Sequence, residues 1–451
     1  MPLGTFQLIF VGAQNIYTTE NPEITLFRTV YKRHTNFAID AVEEFFTSKI
    51  GFGQTVRCKL SKNGDLLSKL GLSLKLSNPN RRKPECENIC DANPFKNKCS
   101  CHRCLLNDPC DDVTYGWVNA IGHVVIDYIE LYVGESLVDR HYGEWLEIWT
   151  ELSQTAEKRL GYYEMIGKKD PLSYTVDSFT GEMDVFIPFS FWFCRNIGLA
   201  LPVLSLIYHD VDIVIRFRPL EQCWVSNKRN VPCPVVTMEG NLVAEYIYLC
   251  SEERRTFYKQ SHVYLMEQLQ LNENNTSEFN VGRMNIQLDF MHPVKEMIWF
   301  VQRKDVVGPP DGVWESDCSY PKGNDHFNFT SSTIPRRYRP AETFIAAKLQ
   351  LSGVDRTIFW PASYYRLIQN YYYHTRIPTA NNIYTYSFCL APEDHQPTGE
   401  CNMSMVDNAR LCIKLGNRDK CNQYGVRIKI YAINYNVFFI TGGMGAPMFY
   451  N

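Results

Sequence analysis

The sequence predicts an all-β protein in which one β-domain is used twice, with a few short helices and two long irregular loops. Three observations lead there. Apolar segments alternate with period two, helical stripes are scarce, and three short patterns recur in the same order about two hundred residues apart.

In "DVDIVIRFR", Val211, Ile213, Ile215 and Phe217 share one strand face while Asp212, Arg216 and Arg218 share the other. "MNIQLDF" sets Met284, Ile286, Leu288 and Phe290 against Asn285, Gln287 and Asp289. "GVRIKIYAINYNV" sets Val426, Ile428 and Ile430 against Arg427 and Lys429. Each reads as an antiparallel strand wet on one side. Two stretches read as helix. "EWLEIWTEL" places Trp145, Ile148, Trp149 and Leu152 on one stripe, and "SEERRTFYKQSHVYLMEQL" opens with Ser251 as N-cap and Glu252 and Glu253 in the first turn.

The repeat begins where Val138-Asp139-Arg140 matches Val354-Asp355-Arg356. An apolar segment ending in Ser-Phe follows in each half, with Ser190 and Ser387, and then an alternating strand, "DIVIRF" and "ARLCIKL". The offsets are 216, 197 and 198 residues. This divides the chain at about 235/236, with the Ser251 helix near the junction. Two non-periodic stretches, 77–112 and 303–340, sit early in each half and read as functional or stapled loops.

A chain of 451 residues exceeds one ordinary core, since single cores stop growing at roughly 250–300 residues. Lys plus Arg total 46 against 49 acidic residues, so no chain-wide cationic field is available to neutralise nucleic-acid phosphates. The most apolar window, Ile187 to Tyr208, is broken by Pro188, Arg195, Asn196 and Pro202 and reads as buried core, not a membrane span. "MPLGTFQLIFVG" lacks the basic start of a secretory peptide, so folding in a reducing cytosol is expected. Ten scattered cysteines then read as reduced, mostly buried thiols.

No nucleophile elbow, phosphate loop, dinucleotide fingerprint or zinc-protease motif is present. Glu393, Asp394 and His395 lie in "PEDHQPTGECN", which reads as a polar turn between strands rather than a catalytic cluster. His123, His141, His209, His292 and His374 read as satisfied core or edge histidines. Neither a catalytic site nor a cofactor is expected. Cys86, Cys90, Cys99, Cys101, Cys104 and Cys110 form the one dense cluster. Cys86, Cys90, Cys101 and Cys104 have spacings that allow zinc, the six thiols equally allow three disulfides, and a reduced loop is the third option. A surface staple that lowers loop entropy is the favoured reading. Asn274, Asn275, Asn328 and Asn402 stand in glycosylation sequons.

The stretch "GAQNIYTTENPEITLFRTVYKRHTNFAIDAVEEFF" resembles the major capsid proteins of the nucleocytoplasmic large DNA viruses. The likeness continues through "DYIELYVGESLVDRHYGEWLEIWTEL", "IPFSFWFCRNIGLALPVLSLIYHDVDI", "HPVKEMIWFVQR" and "YAINYNVFFITGGMGAP", and so covers nearly everything outside the two loops. The resemblance implies two consecutive eight-stranded jelly-roll sandwiches, within 36–235 and 236–451, preceded by an N-terminal arm, 1–35. It further implies homotrimeric pseudo-hexagonal capsomers in an icosahedral shell, assembled in the host cytoplasm above an inner viral membrane. Neighbouring capsomers and minor capsid and penton proteins are the implied partners, without direct nucleic-acid contact. Phe27, Tyr31 and Arg33 of the arm, and Glu393, His395 and Asn402 of the turn, are the implied assembly contacts. The long loops would form outer towers. Met405 stands where relatives more often carry arginine, which keeps a minor capsid paralogue or membrane-shaping scaffold as an alternative. A glycan-binding attachment protein, using platforms such as Trp314, is a third.

Overall fold

The computed structural model describes residues 5, 8–10, 12–80, 114–170, 180–226, 231–276, 283–307, 324–331, 341–415 and 425–450. Residues 1–37 and 38–451 form separate compact units. In the first, helix α1 (Ala13–Thr19) begins at Gly12, whose N–H donates to the Asn15 side chain at 3.0 Å. Leu26, Phe27, Val30 and Tyr31 are exposed.

The larger unit contains the same eight-stranded topology twice. The first roll comprises β1 (Phe37–Glu44), β2 (Thr55–Lys59), β3 (Leu66–Leu76), β4 (Ile126–Val133), β5 (Ser136–Tyr142), β6 (Met183–Pro188), β7 (Val211–Phe217) and β8 (Met238–Leu249). Its sheets run β1-β8-β3-β6 and β2-β7-β4-β5. The second roll comprises β9 (His262–Thr276), β10 (Arg283–Leu288), β11 (Pro293–Arg303), β12 (Ala346–Leu351), β13 (Val354–Asp355), β14 (Tyr384–Ser387), β15 (Ala409–Lys414) and β16 (Val426–Thr441). Its sheets run β9-β16-β11-β14 and β10-β15-β12-β13, the first order with eight added to every strand.

The pairing registers repeat as well. Val133 lies opposite Val211 in the first roll and Leu351 opposite Ala409 in the second. Leu72 faces Ile187 as Trp299 faces Tyr384. The Ser-Phe and alternating-strand matches therefore fall on equivalent strands in register. The Val-Asp-Arg match also falls on equivalent strands, β5 and β13, but two residues out. Val354 pairs with Leu351 where Ser136 pairs with Val133, and β5 carries a bulge further on.

Alternation decides the cores. Leu70, Leu72, Leu74 and Leu76 of β3 pack with Val211, Ile213, Ile215 and Phe217 of β7 between the sheets of the first roll. Ile286 and Leu288 of β10 pack with Val294, Trp299, Ile428 and Ile430 in the second. Phe189, Phe191, Leu201 and Leu206, from the apolar window at 187–208, are buried in the first core.

Four expectations change. The boundary moves to about residue 250, because β8 pairs with β3 along its length and belongs to the first roll. The second helical stretch ends early. Helix α4 covers Ser251–Lys259, after α2 (Gly143–Ser153) and α3 (Ala156–Met165), and from His262 the chain is strand β9. Its N-cap is Cys250, with Ser251 the first helical residue. The face of β16 carrying Lys429 is dry, not wet, because the first roll covers it. Within the loop at 303–340, residues 324–331 reach the first roll. Phe327 and Phe329 join its core, and the Asn324 side chain donates to the Glu221 and Trp224 carbonyls at 2.8 and 2.9 Å.

The cysteine cluster from Cys86 to Cys110, Trp314, Cys318, Cys421 and the side chain of Asn275 lie outside the described residues.

Candidate assembly site

The two rolls meet in a buried seam. Sheet β9-β16-β11-β14 is buried on both faces. One lines the second core, and the other presents Ile298, Phe300, Tyr431 and Ile433 to the first roll. Helix α2 and strand β5 of the first roll cover it. Trp145 packs on Tyr431 with ring centroids 5.4 Å apart, and Phe300 stacks on Phe329 at 4.0 Å. Strand β5 adds polar clasps. The Gln268 amide donates to the Val138 carbonyl at 2.6 Å, and the Leu269 N–H donates to Asp139 Oδ1 at 3.1 Å.

Charge is buried in this seam. Glu144 of α2 is met by Arg218 at 2.9 Å and Lys429 at 3.2 Å. Burial raises the cost of the Glu144 charge, but Arg218, Lys429 and Arg427 outweigh it and hold the carboxyl well below the usual range. Next to it, burial and the Arg218 charge push His326 down to about 3. Neutral His326 donates from Nε2 to the Gln222 carbonyl at 2.9 Å, leaving Nδ1 to accept from Arg218 at 3.4 Å. A second ionic group joins the rolls nearby. Arg376 of the second roll reaches Glu151 of α2 at 3.0 Å, and its backbone N–H donates to the Leu152 carbonyl at 2.9 Å.

The matching surfaces at the far ends are open. On the outer face of sheet β1-β8-β3-β6, Gly71 and Ser73 occupy the register positions of Ile298 and Phe300, and Val243 that of Tyr431. That face carries Lys69, Lys75, Glu239 and Glu245 and is largely exposed. At the other end, Val354 of β13, the register equivalent of Ser136 in β5, is 70% exposed. The segment 364–373 follows β13 as α2 follows β5. Its Tyr371 and Tyr372 are 71% and 70% exposed, whereas α2 is buried almost throughout.

The turn at 393–402 is built on a different device. Buried His374 lies 3.1 Å from Glu296 and 3.1 Å from Glu393. Burial opposes its charge, yet the two carboxylates raise it to about 9. Glu393 also accepts from the Thr375 backbone N–H at 3.0 Å and from the Thr375 hydroxyl. Glu393 is therefore a structural anchor, while Asp394 and His395 beside it are exposed. Asn402 caps the next turn by accepting from the Ser404 N–H at 3.1 Å.

Three further histidines have protein partners. His123 contacts Glu147 and Tyr162, each at 2.9 Å, His141 lies 3.0 Å from Asp139, and His209 contacts the Gly445 carbonyl at 2.9 Å. The thiols of Cys58, Cys194, Cys223, Cys233, Cys250, Cys389, Cys401 and Cys412 are free, and Cys233 among them is exposed. Of the four asparagines in sequons, Asn328 is, among the described residues, the one deep in the fold. Asn328 is buried, its side-chain oxygen accepting from the Thr330 N–H at 3.1 Å, so a glycan has no space there in the folded chain. The seam itself was missed by sequence reasoning. The available signal was "EMIWFVQR", an apolar run without alternation, as expected of a strand buried on both faces.

Two family models match the chain in tandem. "Major capsid protein N-terminus" spans residues 25–249, and "Large eukaryotic DNA virus major capsid protein" spans residues 253–446. The major capsid protein of Pyramimonas orientalis virus is 34% identical, with 99% of each chain covered. That of Chrysochromulina ericina virus is 30% identical over 99% of this chain and 100% of its own. Among solved structures, the VP54 protein of PBCV-1, fitted into a reconstruction of the virophage Sputnik, superposes with a TM-score of 0.72. It is 24% identical and covers 95% of this chain and 100% of its own. The Faustovirus major capsid protein follows at a TM-score of 0.66, 11% identity and coverage of 96% and 94%. The tandem match breaks between 249 and 253, where β8 gives way to α4, and with two full-length relatives at 30% identity or more it places this chain in the family of large eukaryotic DNA virus major capsid proteins.

Proposed function

We propose that the chain is the repeating tile of a large icosahedral DNA virus shell, three copies closing into one pseudo-hexagonal capsomer. One observation carries this reading: each molecule holds two copies of one sandwich, joined by a buried seam, with the equivalent surfaces open at both ends. A contact between different surfaces repeats from copy to copy, and where its rotation closes after three copies it makes a ring. The role needs no catalysis, no cofactor and no nucleic-acid contact, in keeping with the near-neutral charge of −3.

Within the particle, the tile meets neighbouring capsomers and minor capsid and penton proteins, over an inner viral membrane, after assembly in the host cytoplasm. Phe27, Tyr31 and Arg33 of the arm, with His395 and Asn402 of the turn, serve these contacts, and Glu393 holds the turn in shape through His374. Light scattering on the purified chain tests the reading. A mass of three times 52.4 kDa is expected, and a monodisperse monomer at assembly concentrations overturns it. In purified particles the chain is expected among the dominant bands. A trace amount would instead indicate a minor paralogue or a scaffold.

A further inference from the structure

Charge is matched differently on the outer faces of β2-β7-β4-β5 and β10-β15-β12-β13. In the first roll each cation has a carboxylate. Arg57 meets Asp212 at 2.6 Å, Lys59 meets Asp210 at 2.6 Å, Arg140 meets Glu130 at 2.8 Å, and Arg216 lies 3.6 Å from Asp127. In the second roll the register places of Asp212 and Glu130 are taken by Arg410 and Lys348, so acid is replaced by base. Ile286, Leu349 and Leu411 pack into the core, so Arg283, Lys348, Arg410 and Lys414 project outward by alternation. Asp355 meets Lys348 at 2.8 Å. Arg283, Arg410 and Lys414 have no carboxylate partner among the described residues, and the Arg410 guanidinium instead donates to the Gln287 side chain at 3.4 Å.

Two features show that these cations are gathered rather than scattered. Arg283 and Lys414 are direct register partners, and like charges opposite one another destabilise a sheet. The ring of Phe359, in the segment after β13, draws them together. Its centroid lies 3.8 Å from the Lys414 ammonium, 5.1 Å from that of Lys348 and 5.2 Å from the Arg283 guanidinium carbon. An aromatic face attracts a cation through its quadrupole and carries no net charge. Phe359 therefore holds the cations close while leaving their charge unspent, whereas the carboxylates of the first roll neutralise theirs.

We propose that Arg283, Lys348 and Lys414, gathered around Phe359, bind a tetrahedral oxyanion, a phosphate or sulfate group borne by a free anion or by a polymer. The guanidinium supplies paired N–H donors and the ammonium groups supply point charge. Donors converging from three strands match a group with three or more free oxygens better than a flat carboxylate with two. The site lies apart from the seam and adds a ligand to the tile.

Titration calorimetry on the purified full chain at low salt tests this, with tripolyphosphate and dextran sulfate as probes. Saturable binding is expected. Binding of tripolyphosphate shows that a free anion suffices, and binding of dextran sulfate alone shows that the group is polymer-borne. Arg283→Gln with Lys414→Gln is expected to weaken affinity by on the order of tenfold or more. Phe359→Leu, which changes no charge, is expected to weaken it by a smaller factor, and Asp355→Asn to tighten it. Lys59→Gln with Arg216→Gln removes the same charge from the first roll and is expected to leave affinity unchanged. Failure to bind either probe overturns the proposal, as do equal losses in the two charge variants or a Phe359→Leu chain that binds like the natural one. Poly-glutamate bound as tightly as the better probe overturns the tetrahedral assignment. The natural chain guards against misfolding of the variants. The probe that binds is expected to protect Lys348 and Lys414 from acylation, read by mass spectrometry, and to leave Lys59 reactive; uniform or absent protection overturns the site.

Discussion

The outer faces of the two equivalent sheets, β1-β8-β3-β6 and β9-β16-β11-β14, share register and differ in what lies over them. In the second roll Phe300 lies under Phe329 and Tyr431 under Trp145 of α2, and Lys429 is buried against Glu144. In the first roll, Lys69 bonds Glu245 at 3.0 Å on an open surface. The backbone is thus compatible with either fate, and side chains on the second face of the sheet record which one occurred. Size and apolarity accumulate where a neighbour is permanent. Charge pairs and small residues remain where contact is made later or not at all.

The largest expected difference between the faces is electrostatic. Glu144→Ala leaves Arg218 and Lys429 buried without their counter-charge and is expected to cost about 3–5 kcal/mol in urea unfolding. Removing Glu245 from the open face is expected to cost under about 1 kcal/mol, as exposed pairs do. Equal losses would show that the seam is not the more tightly bound surface.

The pH response sharpens the same contrast between seam and second roll. His374 is protonated in the folded chain up to about 9, above its usual 6.5, so its contribution is complete below about pH 6.5 and is lost as pH rises through 9. Over that window stability is expected to fall by about 1.4 kcal/mol per pH unit, and His374→Gln is expected to flatten the fall. His326 has the opposite sign. Held neutral down to about 3, it leaves the unfolded chain to take up the proton first, so stability falls as pH drops from about 6.5 towards 3. A His326→Asn variant that keeps the acid limb unchanged would remove the seam histidine as its cause.

The smallest effects come from the repeated tripeptide. Asp139 accepts from the Leu269 and Arg140 N–H groups across the seam and along its own strand, and Asp139→Ala is expected to cost about 2 kcal/mol. Asp355 bonds Lys348 and Gln350 at the surface, and Asp355→Ala is expected to change monomer stability by under about 0.5 kcal/mol. A large loss at Asp355 in the monomer would contradict its place on an open edge.

Much of the fold was legible because strand alternation and the order of short matches are local properties. Val211, Ile213, Ile215 and Phe217, like Ile286 and Leu288, face their cores as alternation requires, and Ser190 follows β6 while Ser387 closes the equivalent strand β14. The division at 235/236 fell short because strand β8 follows a Pro-rich connection, and its partner β3 lies far back in the chain. The helical reading past Lys259 failed because "HVYLMEQLQL" fits either period, and pairing with β16 decided for strand.

Sequence alone thus determined that this chain holds one sandwich twice and which side of each strand is oil. It left undecided what covers the other side, because alternation separates two faces without naming their neighbours. Lys429 looked wet in the sequence and is dry in the structure, its partner Glu144 standing 285 residues away. Only the packing of one roll on the other, which brings such distant groups together and expels the water between them, decided which face became seam and which stayed open to another molecule.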